Sequence, residues 1–411
     1  MRHYIAVAVA LSFFAVPWLA TNFPNQADFI LSSIHNAGSQ FASIINRNTR
    51  TVAQLQTKYS NTKKKTASPI RILLVPGHEP HYGGAEYGKV KERDLVVTLA
   101  NKIDALLRDN EKYEVILTRD ADSWNPVFAS YFDIAWDEII EWQKAYKTEA
   151  LKQISESAPL LPPPVFHNNA PPNVATRLYG LVKWSNENNI DIALHIHLND
   201  YPGRPNGSEG KYTGFSIYTP ELLYANGTTT HVVTEALFKR LQKYNPVSDL
   251  PGESTGIVDE RELIAIGAFN TADSASMLIE YGYLYEPQFT NMALKETTLK
   301  DLALQTYLGL EDFFNSKKSE SLDTEILPYT WIGSIEENNI ASMDVYALQT
   351  ALMKESVYPP AGKSKNDCPR TGKLGMCTLA AIKSFQEKYG INGERGAGEK
   401  TINQLNILYS K

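Results

Sequence analysis

Four side chains in this sequence have the types and settings that hydrolytic chemistry needs: His78 in VPGHEP, Glu92 in VKERDL, His197 in ALHIHLND and Glu280 in MLIEYG. Two imidazoles and a carboxylate are a common set for holding a hydrolytic zinc ion with one position left for water. A second carboxylate nearby can then act as general base. Each residue also has a simpler alternative. His78 could be a turn residue in its Pro-Gly setting, Glu92 could complement a helix dipole, and Glu280 could be a buried ion-pair partner. The stretch DIALHIHLND adds an ambiguity. His195 and His197 are two apart, so in a strand they share one face while Ile192, Leu194 and Ile196 take the other.

The elements that must position these groups follow from hydrophobic periodicity. PIRILLVPGH reads as a strand running into His78. ERDLVVTLANKIDALLRDN reads as a helix opened by Glu92, with Leu95, Leu99, Ile103 and Leu106 on one face, and YEVILTRD as the next strand. A strand, a crossover helix and another strand, joined later by the buried runs DIALHIH and SASMLIE, predict an α/β fold. Its sheet is mostly parallel and twisted, with helices on its flanks. Ligands of such open sheets bind beyond the carboxyl ends of the strands, and His78, His197 and Glu280 all fall at such ends.

The rest of the 411 residues divides around this core. Residues 1–23, a basic start followed by an apolar run, read as a signal peptide or membrane anchor. Residues 24–68 are polar and read as a linker or stalk, 69–316 as the catalytic domain, and 317–335 as a second linker. Within the catalytic domain the βαβ pattern is interrupted at 123–172 by an insert. Its helix carries Phe128, Tyr131, Phe132, Trp136 and Trp142, which either wall the substrate groove or pack on the domain's flank. Residues 336–411 read as a small all-α module of three helices, in which GMCT and GEKT repeat a Gly-x-x-Thr start. The two cysteines, Cys368 and Cys377, lie in this module, where they close a local loop or remain thiols. A net charge of -6 gives no sign of nucleic-acid binding.

PGHEPHYGGAEYGKVKERDLVV, LTRDAD, DIALHIHLND and IEYGYLYEP, in that order, resemble the signature of the zinc-dependent N-acetylmuramoyl-L-alanine amidases of the type-3 family. The resemblance implies that His78, Glu92 and His197 bind Zn2+, that Glu280 is catalytic, and that His197 rather than His195 is the ligand. It implies hydrolysis of the amide between N-acetylmuramic acid and the first L-alanine of the peptidoglycan stem peptide. His195 itself, the Glu-Pro after His78 and the insert depart from the family pattern. The C-terminal stretches DVYALQTALM, GKLGMCTLAAIKSFQEKYGI and AGEKTINQLN resemble a peptidoglycan-binding module. Together these imply an exported bacterial hydrolase of the cell envelope whose partner is peptidoglycan. The rival readings are a zinc peptidase acting within the stem peptide and a non-catalytic wall-binding scaffold.

Overall fold

The computed structural model describes residues 49–62, 68–157, 165, 167, 170–315, 323–335 and 340–410. The segment read as a signal or anchor lies outside them. Among the described residues no helix is long and apolar enough to cross a membrane.

Helix α1 (Val52–Asn61) comes first, then strand β1 (Ile70–Pro76), the short hairpin β2 (Glu86–Tyr87) and β3 (Val90–Lys91), helix α2 (Glu92–Arg108) and strand β4 (Tyr113–Leu117). Helices α3 (Pro126–Ser157) and α4 (Pro172–Glu187) lead into β5 (Ile192–Asn199). Strand β6 (Ser216–Pro220), helix α5 (Gly227–Tyr244) and strand β7 (Ile257–Glu260) follow. Strand β8 (Ala275–Tyr283), the short α6 (Pro287–Thr290) and the long α7 (Met292–Phe314) close the domain.

The main sheet has the order β4-β1-β5-β8-β6-β7. The first four strands are mutually parallel; β6 is antiparallel to β8 and parallel to β7, so the last two strands, β6 and the edge strand β7, run against the rest. This is the mostly parallel, helix-flanked sheet expected from the βαβ pattern. The central strands are buried on both faces, which is why their sequences are nearly continuous apolar runs. On the back face Ile72, Leu74, Ile192, Leu194, Ile196, Met277 and Ile279 pack under α2, α5 and α7. On the front face Leu73, Val75 and Ala193 pack under α3 and α4.

The insert belongs to this front layer. Phe128, Phe132, Ala135 and Ile139 of α3 are buried against Tyr179, Leu181 and Trp184 of α4, while Asp133, Asp137, Glu138 and Glu141 face outward. A Cβ at Gly180 would stand 2.9 Å from Ile139 and 3.0 Å from Phe132, so a glycine lets the two helices cross closely. Of the insert's aromatics, Phe128 and Phe132 are core and Tyr131, Trp136 and Trp142 pack partly buried against it, as the flank-packing alternative requires.

Part of the segment read as stalk is also ordered. Thr51 and Gln54 form a capping box at the start of α1, and its Leu55 and Tyr59 are buried in the back-face core, Tyr59 stacking on Phe314 at 4.4 Å. Lys58 pairs with the fully buried Asp191, the residue before β5.

The C-terminal module consists of α8 (Met343–Lys354), α9 (Met376–Tyr389) and α10 (Glu399–Tyr409), with Cys368 and Cys377 joined as a disulfide. Its two Gly-x-x-Thr starts carry the same latch. The Gln349 amide on α8 donates to Thr378 Oγ1 at 3.0 Å and to the Lys373 carbonyl at 3.1 Å. The Gln386 amide on α9 donates to Thr401 Oγ1 and to the Gly396 carbonyl, both at 2.8 Å. Each accepting carbonyl lies two residues before the glycine, so the duplication extends to the chemistry that holds successive helices together. Residues 323–335, read as linker, lie along the module because Ile326, Leu327 and Trp331 bury there. Arg370 of the module forms a buried ion pair with Asp301 of α7 at 3.1 Å, fastening the module to the catalytic domain.

Candidate metal centre

Strand register brings the four sequence candidates to one edge of the sheet. β1 ends at Pro76, and Gly77 donates its N–H to the Ile196 carbonyl, so the chain reaches His78 while still beside β5. His197 stands next to Glu280 across the β5–β8 pairing. Glu92 arrives at the start of α2, where its backbone N–H donates to the Ala85 carbonyl and its Oε2 accepts from the Ala85 N–H at 2.8 Å. The other oxygen, Oε1, accepts from the Leu198 N–H at 3.1 Å, tying α2 to the end of β5.

Ligand atoms of His78, Glu92 and His197 lie within 4.8 Å of one another. His197 Nδ1 is 3.2 Å from Glu92 Oε1, and His78 Nε2 is 2.7 Å from the same oxygen. The His78 approach is close without the alignment of a hydrogen bond, so that nitrogen is buried and unpartnered. Apart from the His197–Glu92 hydrogen bond these atoms face one shared point, and the donor set fits a divalent metal of zinc type.

Two glycines make room for the cluster. A Cβ on Gly77 would lie 2.3 Å from the His197 ring, so no larger residue fits there. Gly84 takes φ +86, and a Cβ on it would crowd His78 at 3.0 Å and Glu92 at 3.2 Å.

Electrostatics separate the two carboxylates. Burial pushes the Glu92 carboxyl up, but electrostatic attraction to the adjacent His78 and the contact with His197 outweigh it and hold it well below the usual range. Burial, reinforced by the negative charges of Glu92 and Glu253, pushes Glu280 well above that range, and its Oε2 is buried with no partner. Burial lowers His197, with Glu92 pulling the other way. His195 lies deeper on the same strand face, between Val75 and Leu278; burial and the neighbouring His197 push it down to about 3, so it stays neutral. The group that could hold a metal contains His197 and not His195.

Three further residues, Arg119 and Glu253, to which the sequence reading gave no role, and Glu79, support this edge. Arg119 follows β4 and is buried behind it. It donates to the carbonyls of Gly77, Pro76 at 3.2 Å and Arg93 at 3.1 Å, bracing the segments that carry His78 and Glu92. Burial lowers its pKa to about 10 against the pull of Glu79, Asp94 and Glu92. Glu253 is a buried carboxylate that accepts from Asn199 Nδ2 at 2.9 Å and from the Tyr218 hydroxyl. Glu79, one of the departures noted above, accepts from Trp124 Nε1 at 3.0 Å and from Arg177 Nε at 2.9 Å. It thereby ties the His78 loop to the root of the insert and to α4, so the two departures form one contact.

A mostly parallel sheet that presents two imidazoles and two differently tuned carboxylates at the carboxyl ends of its strands defines an α/β protein with the parts of a hydrolase site. The match over residues 72–312 makes the assignment specific: the chain belongs to the N-acetylmuramoyl-L-alanine amidase family. It is 23% identical over 251 residues to the endolysin of Bacillus phage SPP1, covering 60% of this chain and 67% of the phage protein. Among solved structures it is similar to the CwlD amidase of Clostridioides difficile, solved in complex with the GerS lipoprotein. That likeness has 16% identity and a TM-score of 0.40, over 60% of this chain and 99% of that one. It is also similar to the N-acetylmuramyl-L-alanine amidase Ami1 of Mycobacterium smegmatis, at 15% identity and a TM-score of 0.40, over 61% of this chain and 100% of that one.

Proposed function

We propose that this protein is a zinc-dependent peptidoglycan amidase that hydrolyses the bond between N-acetylmuramic acid and the L-alanine of the stem peptide. The observation that carries the reading is the convergence of His78, Glu92 and His197 beside the buried, unpartnered oxygen of Glu280. His78, Glu92 and His197 hold the metal. When bound, zinc supplies a Lewis acid and lowers the pKa of its water toward about 7. Glu280, raised by burial and its carboxylate neighbours, accepts the proton of the attacking water and returns it to the alanine nitrogen as the C–N bond breaks. Arg119 and Glu79 keep the His78 loop in place.

The C-terminal module binds the wall, and the apolar run in residues 1–23 exports the chain or anchors it, which puts the action outside the cytoplasm. Digestion of purified sacculi tests the reaction: the amidase releases intact stem peptides with L-alanine N-termini and leaves unsubstituted muramic acid in the glycan. Cleavage inside the stem peptide instead would establish the peptidase, and no cleavage by zinc-loaded protein would establish the scaffold.

A further inference from the structure

We propose that Arg177 is the anchor for a carboxylate of the stem peptide, a specificity-determining residue that this chain has built from its insert and α4. The inference rests on the amidase reading above.

Helix α4 lies on the front face and runs within five residues into β5. It is therefore antiparallel to that strand, and its first turns lie at the carboxyl pole where His78 and His197 stand. Arg177 is in the second of those turns. Its Nε donates to Glu79 Oε1 at 2.9 Å, and Glu79 directly follows His78, which puts the guanidinium beside the metal-ligand loop.

The side chain is held in place rather than free to sample solvent. Glu79 is itself fixed through its second oxygen by Trp124, and the guanidinium lies over the Trp136 ring at 6.0 Å. This holds the planar group by one nitrogen and one face. Its two Nη nitrogens have no hydrogen-bond partner among the described residues, and 23% of the side chain remains exposed. A guanidinium held at Nε presents the parallel N–H pair that a carboxylate accepts in bidentate fashion.

The contrast with the other arginines around the site sharpens the point. Arg119 has all three guanidinium nitrogens on backbone carbonyls, and Arg93 is paired through Nη1 with the Gly83 carbonyl and Glu86 and is less exposed, at 12% against 23% for Arg177. The inner site is rich in carboxylates, Glu92, Glu280 and Glu253, and its buried Arg119 is committed to backbone carbonyls, so a cation at the rim is what an anionic peptide group can reach. Arg177 supplies one, prepositioned by contacts that only the Glu-Pro departure and the insert make available.

The test uses two synthetic muramoyl-L-alanyl peptides that differ at one group: a free α-carboxylate on the second stem residue, or the corresponding carboxamide. Full-length, zinc-loaded wild type is expected to show a KM about tenfold lower for the carboxylate peptide, the scale of one charge-assisted pair. In Arg177→Gln the ratio of the two KM values collapses to about one. Arg177→Lys keeps a cation against Glu79 and guards against misfolding of the first variant; it keeps a smaller preference. Calorimetric binding of the two free stem peptides to metal-free protein gives a second readout, with the same expected ratios. A ratio near one in wild type, or an undiminished ratio in either variant, overturns the inference. If wild type cleaves neither muramoyl peptide, the amidase reading falls, and the binding ratios alone decide the role of Arg177.

Discussion

Buried polar side chains are treated in opposite ways in the C-terminal module and at the edge of the catalytic sheet. In the module, Gln349 and Gln386 each donate to a threonine hydroxyl and a backbone carbonyl, and the Gln349 carbonyl oxygen accepts from the Gly372 N–H at 2.8 Å. At the sheet edge His78 Nε2 and Glu280 Oε2 are buried with no hydrogen bond. A buried polar group left unpaired costs about 1–3 kcal/mol, and here two such atoms, one of them on a residue of the group that could hold a metal, stand at one end of neighbouring strands. The module's two glutamines serve the fold; the unpaired atoms of the sheet edge belong with the group that could hold a metal.

The largest effects should come from emptying the sheet edge. His197→Ala is expected to abolish both metal retention, measured by elemental analysis, and amidase activity, whereas His195→Ala keeps its metal. Metal loss in the His195 variant instead would reverse the assignment of the two histidines. Glu280→Gln should retain metal and melting temperature while losing on the order of 10²–10⁴ in kcat, the range for a general base; near-normal turnover would remove it from the mechanism. Gly77→Ala drives a methyl group into the His197 ring and should weaken metal affinity by about 10–100-fold in chelator competition, as disturbed ligand orientation does elsewhere.

Breaking a latch should act on the fold alone. Gln386→Ala leaves the Thr401 hydroxyl and the Gly396 carbonyl without their donor and is expected to cost about 1–3 kcal/mol, read by denaturant melts, with metal content unaltered. A loss of metal in that variant would erase the contrast between the two regions.

The smallest effect is set by pH. Burial pushes Asp273 up to about 6, with Arg50 pulling back, so between pH 4 and 6 the folded state binds the extra proton. Stability therefore falls as pH rises through that window and stays lowered above it. Asp273→Asn removes the titration and should gain up to about 2 kcal/mol over wild type at pH 8 and nothing at pH 4, after discounting for partial exposure.

His78, His197 and Glu280 were readable in the sequence because each closes or ends an apolar run, and a sheet of parallel strands sends such ends to one edge. Alternation could not separate His195 from His197, since both share a face; what separates them is depth, with His197 at the rim and His195 between Val75 and Leu278. Arg119 lay inside the LTRDAD stretch but its role was not legible, and Glu253 left no signal, because each acts through contacts with segments far away in sequence. The insert's aromatics were legible as excess apolar surface, but whether they faced a groove or a neighbouring helix depended on Gly180 and Trp184 across the α3–α4 contact. Residues 323–335 read as linker from their polar neighbours, yet Ile326, Leu327 and Trp331 suffice to fix them to the module.

The Arg370–Asp301 pair carries one more consequence. Asp301 also accepts from Thr324 Oγ1 at 2.7 Å and from the Glu325 N–H at 3.0 Å, so the same carboxylate clasps α7, the stretch entering the module and the module itself. The protein then works like a pair of dividers with the screw tightened. With its module gripping the wall as proposed, the span between grip and cut is set by the protein and not by the slack of a tether, so successive cuts would fall at a preferred distance from where it holds on.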